Sequence, residues 1–240
     1  MIADNPAARL LAILTDGHKH QRNAKCRDVW YKLLEVEPGE DALLMSRLGK
    51  VMELPDQVIR KIEEEFPNQT NTYAHWSSRV NKAFFQQNLN GEWKSFIELV
   101  DTHSLNYLSL SADLIQTKSP TTLLDNGTLE ELNKKVFALF DELMNGDFDQ
   151  EFKEYLGRAL QRIGVAIQEY RISGALPVVE AIEATFGHAV LNEDYRKELS
   201  SEFGQKVVST LSAVASSVTI ALGLPQLPQA IQLLIGKVSE

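Results

Sequence analysis

The chain has 240 residues, of which 44% are hydrophobic, and it carries 24 basic and 33 acidic side chains for a net charge of −9. This length and apolar fraction are enough to bury a core, which argues against intrinsic disorder. The negative charge disfavours nonspecific binding to nucleic-acid phosphates and to anionic lipid.

The single cysteine, Cys26, excludes an intramolecular disulfide and a secreted disulfide scaffold. The opening segment MIADNPAARLLAIL carries an acidic residue before its first basic one, and its apolar run is too short for a secretory signal. These two features predict a cytoplasmic protein.

Apolar residues recur at three- and four-residue spacing through nearly the whole chain, whereas alternating runs of the β type are missing. The pattern predicts an all-α, multi-helix bundle of about nine to eleven helices. Residues 117–127, TKSPTTLLDNG, are rich in turn formers. We therefore predict an N-terminal helical subdomain 1–116, a connecting loop 117–127 and a C-terminal helical subdomain 128–240.

Six helices are predicted in the first half, each delimited by caps, glycines or prolines. Three tryptophans occur there at helical spacing among aliphatic residues, which predicts core anchors rather than base-stacking platforms. The first helix is predicted from an Asn5 cap to Gly17, and the second from near Asn23 to the Pro38–Gly39 turn. Two short helices follow, separated by a break at Pro55. The fifth helix lies around Trp76, and the sixth is continuous from about Glu92 to Tyr107.

The second half has its own start and stop signals. Thr128 and Glu131 form a capping-box pattern at the start of a helix. A helix from about Asp149 has the strongest amphipathic pattern in the chain and ends before Gly174. After one more short helix, Asn192 is the predicted N-cap of a last long helix that continues into an uncharged stretch.

That stretch, residues 207–236, contains no Asp, Glu, Lys, Arg or His. Pro225 and Pro228 divide it into two arms, and the longer arm, 207–222, spans roughly 24 Å against the about 30 Å of a hydrocarbon core. Its apolar residues continue one amphipathic stripe, which favours burial in the core or between subunits. A helical hairpin that enters a membrane is the alternative.

Two features of the second half are candidate interaction surfaces. The last long helix combines an apolar stripe with a stripe of small residues, which allow close approach of another helix. Acidic residues gather between positions 130 and 154, either as a solvated face or as a docking surface for a basic partner. The predicted interaction residues are Leu211, Val214, Val218, Ser209, Ser212, Ser216 and Thr219 on the helix, and Glu142 and Glu151 in the acidic segment.

Common catalytic and nucleotide-binding signatures, such as GxGxxG, GxxxxGK, GxSxG and HExxH, are missing. The segment TDGHKHQRNAKC offers Asp16, His18, His20 and Cys26, but its spacing fits no zinc motif and its Lys and Arg residues would repel a cation. A small basic patch that meets an acidic surface, such as the second half of another copy, is the preferred interpretation. We predict no catalytic residue, cofactor or metal.

The leading hypothesis is a non-enzymatic helical protein that binds another protein or self-assembles as a homo-oligomer. One alternative is a membrane-perturbing effector that inserts segment 207–236. A second alternative is an acidic binding partner of the immunity or antitoxin kind. Nucleic acid is disfavoured as a partner by the negative charge.

Overall fold

The computed structural model describes residues 3–69 and 71–223. Over these residues the chain forms twelve α-helices and no β-strand, which confirms the predicted all-α class. Contacts within the chain divide it between Pro120 and Thr121 into two compact units, here called the N-terminal and the C-terminal unit. This division lies within segment 117–127.

The N-terminal unit contains six helices. They are α1 (Pro6–Gly17), α2 (Cys26–Leu33), α3 (Asp41–Glu65), α4 (Ala74–Gln86), α5 (Lys94–Ile97) and α6 (Thr102–Lys118). The first helix packs against α3 and α6, and α4 also packs against α6. The predicted Asn5 cap is confirmed, because its side chain accepts a hydrogen bond from Ala8 N at 3.0 Å. The amide of Asn5 also donates to Ala112 O of α6 at 3.1 Å.

The tryptophans are core anchors, as predicted, and Trp30, Trp76 and Trp93 are all 0% exposed. The Trp30 indole donates to Gln87 Oε1 at 2.7 Å and the Trp93 indole donates to Gly17 O at 2.9 Å. Buried aromatic N–H groups usually need such partners. The two hydrogen bonds therefore fix the orientation of large rings that link α2 and the α5 region to the rest of the unit.

Two predicted helix limits in the N-terminal unit are wrong. α3 runs through Pro55 as one helix, because its apolar residues on both sides of the proline, such as Leu48 and Val58, are buried in the same core. The predicted helix from Glu92 to Tyr107 is broken, because the Asp101 side chain caps a new helix, α6, through Ser104 N at 2.7 Å.

Up to residue 223, the C-terminal unit contains six α-helices. They are α7 (Asn126–Asn145), α8 (Gln150–Gln168), α9 (Tyr170–Ser173), α10 (Leu176–Leu191), α11 (Glu193–Leu199) and α12 (Glu202–Ala221). The predicted capping box is replaced by Asp125, which accepts from Thr128 N at 3.0 Å. The predicted last long helix is two helices, since Asn192 caps the short α11 and Ser201 caps α12.

The four long helices of this unit form an antiparallel ring in the order α7, α8, α10, α12. The Tyr155 hydroxyl, near the start of α8, donates to Ala184 O in the second half of α10 at 3.2 Å. Lys206, near the start of α12, pairs with Glu142 near the end of α7. These contacts fit an up-and-down four-helix bundle. Its apolar interior confirms the predicted α8 stripe of Phe152, Leu156, Leu160, Ile163 and Ile167.

Gly204 is required where α12 starts against the end of α11. A Cβ at this position would lie 2.3 Å from Glu198 O and 2.4 Å from Leu199 Cα. Because backbone atoms cannot move aside, we expect Gly204→Ala to lower the free energy of unfolding by about 2–3 kcal/mol.

Gly187 in α10 is the matched control, because a Cβ there meets nothing within 4 Å. Gly187→Ala should raise the free energy of unfolding by up to about 1 kcal/mol, since alanine is the better helix former. Urea denaturation of both variants checks this pair. Equal effects at the two positions would contradict the close approach of α11 and α12.

Candidate functional site

The apolar interaction residues predicted on α12 lie in the core of the C-terminal unit. Leu211, Val214 and Val218 are each 0% exposed, and Thr219 is also fully buried. The helices of the same unit cover these side chains, so their burial needs no partner. A role for them in direct partner contact stays a prediction.

The small residues of α12 lie nearer to the surface, with Ser209 exposed and Ser212 and Ser216 half-buried. α12 contacts α7 on the flank that carries Lys206, and it contacts α10 as well. Helical spacing places Ser212 about 120° around the helix axis from Lys206, on the side toward α10, and Ser216 between that side and the outer face. The small stripe therefore borders the line along which α10 and α12 meet.

α10 exposes three large hydrophobic side chains. The exposed fraction is 55% for Leu176, 57% for Val190 and 85% for Leu191. Spacing along the helix puts Gly187 between Val190 and Leu191 on this outer face. Glu180 and Glu183 are exposed on the same face, and neither forms an ion pair within residues 3–69 and 71–223.

We define the α10–α12 groove as the surface between the outer face of α10 and the stripe of small residues on α12. Its members share an outward position on adjacent helices and small or apolar side chains. They are Leu176, Gly187 and Val190 from α10 and Ser212 and Ser216 from α12, with Leu191 beside them. Sequence reasoning identified the serines but missed the α10 residues, because periodicity alone does not show which apolar residues of a helix stay outside.

The two acidic interaction residues predicted in the C-terminal unit are exposed. Glu142 pairs with Lys206 of α12, and Glu151 lies in the first turn of α8. A carboxylate at a helix N-terminus is stabilised by the helix dipole. The structure therefore gives Glu142 and Glu151 local roles, and partner contact through them stays a prediction.

The basic segment around residues 16–27 is largely neutralised within the N-terminal unit. Lys19 pairs with Asp16 at 2.6 Å, and Arg22 lies 3.5 Å from Glu98. Arg27 pairs with a further carboxylate, Asp41. These ion pairs leave little free positive charge for a second copy of the chain.

The candidate ligands of that segment do not form a metal site. Across the part of the chain that the structure describes, no group of three or more His, Cys, Asp or Glu side chains is placed to hold a metal ion. Burial raises the pKa of the Cys26 thiol to about 11. A nucleophilic cysteine needs a lowered pKa instead, so Cys26 behaves as a core residue.

One titratable cluster was missed by the sequence analysis, because its members come from two helices. His75 Nε2 of α4 lies 3.1 Å from Asp101 Oδ2, and Arg79 Nε lies 3.4 Å from the same oxygen. The His75 and His103 rings meet edge to face, with centroids 4.7 Å apart. The buried Ser104 hydroxyl donates to Asp101 at 2.7 Å, unlike the serine of an acyl-transfer triad, which donates to histidine.

This cluster, here called the Asp101 clamp, connects α4 to α6, because His75 and Arg79 of α4 pair with Asp101 at the N-terminus of α6. Burial acts to raise the pKa of Asp101, but hydrogen bonds from the Ser104 hydroxyl and backbone N–H and from His75 outweigh it and lower the pKa to about 2. A carboxylate held in this way remains charged at neutral pH and joins the α6 N-terminus to α4.

The lowered pKa of Asp101 predicts a pH-dependent contribution to stability. Because the folded-state pKa of about 2 lies below the ordinary 3.8, the contribution is complete above pH about 4 and is lost as the pH falls toward 2. We expect Asp101→Ala to cost about 1 kcal/mol of unfolding free energy at pH 7, and much less at pH 2.

Urea denaturation of the two proteins from pH 7 to pH 2 measures this difference. Asp113→Ala removes an exposed carboxylate of α6 and serves as the control. A cost for Asp101→Ala that is the same at every pH would contradict the charged clamp.

The uncharged stretch 207–236 is only partly within the described residues. Its first part, up to residue 223, belongs to α12 and the turn after it, and Pro225 and Pro228 lie outside the described residues. Among the helices that the structure describes, none is long and apolar enough to cross a bilayer.

Among the helices in residues 3–69 and 71–223, α10 exposes the most large hydrophobic side chains, three in number, whereas Asp101 and His75 of the N-terminal unit are used in a helix cap and an ion pair. Comparisons with protein-family models, with curated proteins and with solved structures gave no match to this chain.

Proposed function

We propose that this chain is a non-enzymatic binding protein that contacts another protein through the α10–α12 groove. The observation that carries the proposal is the exposure of Leu176, Val190 and Leu191 on one face of α10, beside small residues of α12. Exposed large hydrophobic side chains on one helix face are a feature of protein interaction sites. Large side chains around a shallow groove also match helix-in-groove recognition.

Residues 3–69 and 71–223 contain no recognisable reaction centre, which is in line with a binding role. Asp101 serves as a helix cap, and His75 and Arg79 pair with it. The Cys26 thiol is buried and has a raised pKa. None of these groups is arranged as a nucleophile with its general base. The proposal places this binding role in the cytoplasm, in line with the single cysteine.

An acidic binding partner of the immunity or antitoxin kind is one form that this function takes, since the chain carries a net charge of −9. The membrane-inserting alternative has less support. Val207, Leu211, Val214 and Val218 of α12 are all 0% exposed, so insertion of segment 207–236 would remove them from the core of the C-terminal unit. That removal would expose the remaining helices of the bundle.

Site-specific photocrosslinking in cells that express the protein tests the proposal. A photoreactive amino acid at position 191, in the exposed end of α10, should give a discrete covalent adduct with another protein. The same amino acid at position 64, an exposed site of α3 in the N-terminal unit, should give none. Absence of any protein adduct at position 191 would overturn the proposed function.

A further inference from the structure

Gly187 has no role in the packing of its own unit. A Cβ at this position would meet nothing within 4 Å, and the residue lies in the middle of α10. Glycine inside a helix costs about 1 kcal/mol relative to alanine. Because Gly187 has no side chain, the outer face of α10 has a depression between Val190 and Leu191, where the backbone of another helix could approach closely.

Among the serines of the groove, Ser216 is satisfied within its own helix, because its hydroxyl donates to Ser212 O at 2.8 Å. A ligand therefore need not supply a hydrogen bond to it. The charged side chains of the outer face of α10, Glu180 and Glu183, lie between the hydrophobic side chains at its two ends.

Unpaired negative charge follows the groove along α10. Glu183 and Glu180 lie one and two helical turns before Gly187, respectively, on the outer face, and no ion pair of the described part of the chain involves them. The arginines Arg158 and Arg162 belong to α8, which contacts the other flank of α10 through the stacked rings of Tyr155 and His188. A partner in the groove therefore meets acidic side chains.

The negative charge of Glu180 and Glu183 disfavours some of the possible partners of the α10–α12 groove. A second copy that used the same surface would bring Glu180 and Glu183 close to their own equivalents, because a two-fold interface is self-complementary. Anionic lipid and nucleic acid would be repelled as well. A protein segment with lysine or arginine beside an apolar stripe satisfies both the charge and the apolar surface.

We infer that the α10–α12 groove receives a basic amphipathic helix of a partner protein, with its backbone closest to Gly187 and its basic residues beside Glu180 and Glu183. The inference rests on the proposed binding function and adds the chemical class of the partner. The contact extends from Leu176 to Leu191, about four helical turns, with Glu180 and Glu183 between the hydrophobic residues at its two ends.

A designed peptide is the probe. It is an 18-residue helix with leucine along one face and lysine elsewhere, and its counterpart has the same leucines with glutamate in place of lysine. Fluorescence anisotropy of each labelled peptide with the full-length protein gives the affinity. We expect binding of the lysine peptide alone, and weaker binding as salt screens the charges.

Two matched pairs of variants locate the binding site. Gly187→Gln should lower the affinity for the lysine peptide about tenfold, whereas Gly49→Gln, at an equally open helical glycine of α3, should leave it unchanged. Glu183→Lys should lower it about fivefold, whereas Glu64→Lys makes the same change of charge in α3 with little effect. Leu191→Gln replaces Gly187→Gln if that variant does not fold.

Equal binding of the two peptides would overturn the inference. Unchanged affinity in both Gly187→Gln and Leu191→Gln would do the same. So would a dimer, detected by light scattering, that Leu191→Gln dissociates. The last outcome would assign the groove to a second copy of the chain. A protein adduct at position 191 without peptide binding would also overturn it, while leaving the proposed function intact. Absence of both the adduct and peptide binding overturns the proposed function as well.

Discussion

Replacing Val214 with Asp should cost at least about 4 kcal/mol of the free energy of unfolding, because a charged carboxylate would lie in the core of the C-terminal unit without a partner. Val214 is 0% exposed and belongs to the same core as Leu211 and Val218. A loss of this size approaches the whole stability of a typical domain. The measurement is urea denaturation followed by circular dichroism.

Ser209→Asp is the control, because it introduces the same charge on the exposed side of α12. We expect this variant to change the free energy of unfolding by less than about 0.5 kcal/mol. A Val214→Asp protein with an unchanged unfolding midpoint would contradict the position of α12 in the core. Light scattering on both variants separates unfolding from the loss of a subunit contact.

The second large effect is expected at a buried ion pair at the start of α1. Arg9 Nη1 lies 2.6 Å from Asp4 Oδ1, and the side chains are 9% and 0% exposed. Arg9→Met would leave the Asp4 carboxylate in its enclosed site without the guanidinium group. We expect a loss of about 3–5 kcal/mol in unfolding free energy, the usual cost of removing one partner of a buried pair.

Lys19→Met breaks an exposed ion pair just after the same helix. Lys19 and Asp16 are 70% and 55% exposed, so we expect a loss of less than about 1 kcal/mol. Thermal or urea unfolding of the two variants measures the contrast. Similar small losses at both positions would mean that water reaches the Asp4 site.

Local signals in the sequence located several helix starts correctly. Asn5, Asp149 and Asn192 each accept a backbone N–H in the first turn of the helix that follows. A cap acts through residues only two or three positions away, so the sequence contains all of its partners. The same is true of the buried stripe on α8, which depends on spacing within one helix.

The wrong limit at Pro55 depends on contacts beyond the local sequence. Pro55 was predicted to end a helix, but packing on both sides keeps α3 continuous and offsets the lost hydrogen bond. The pairing of His75 with Asp101 joins residues from different helices, so no spacing rule could predict it. The exposure of Val190 and Leu191 likewise depends on where the neighbouring helices lie.

The packing of α1 against α6 has a consequence for the order of folding during synthesis. α1 leaves the ribosome before α6, and Asn5 receives its α6 partner, Ala112 O, only about a hundred residues later. At about 5–20 residues per second, Leu10 and Leu14 wait on the order of 5–20 s for that helix. During this interval the nascent chain exposes an apolar helix face that a chaperone can recognise.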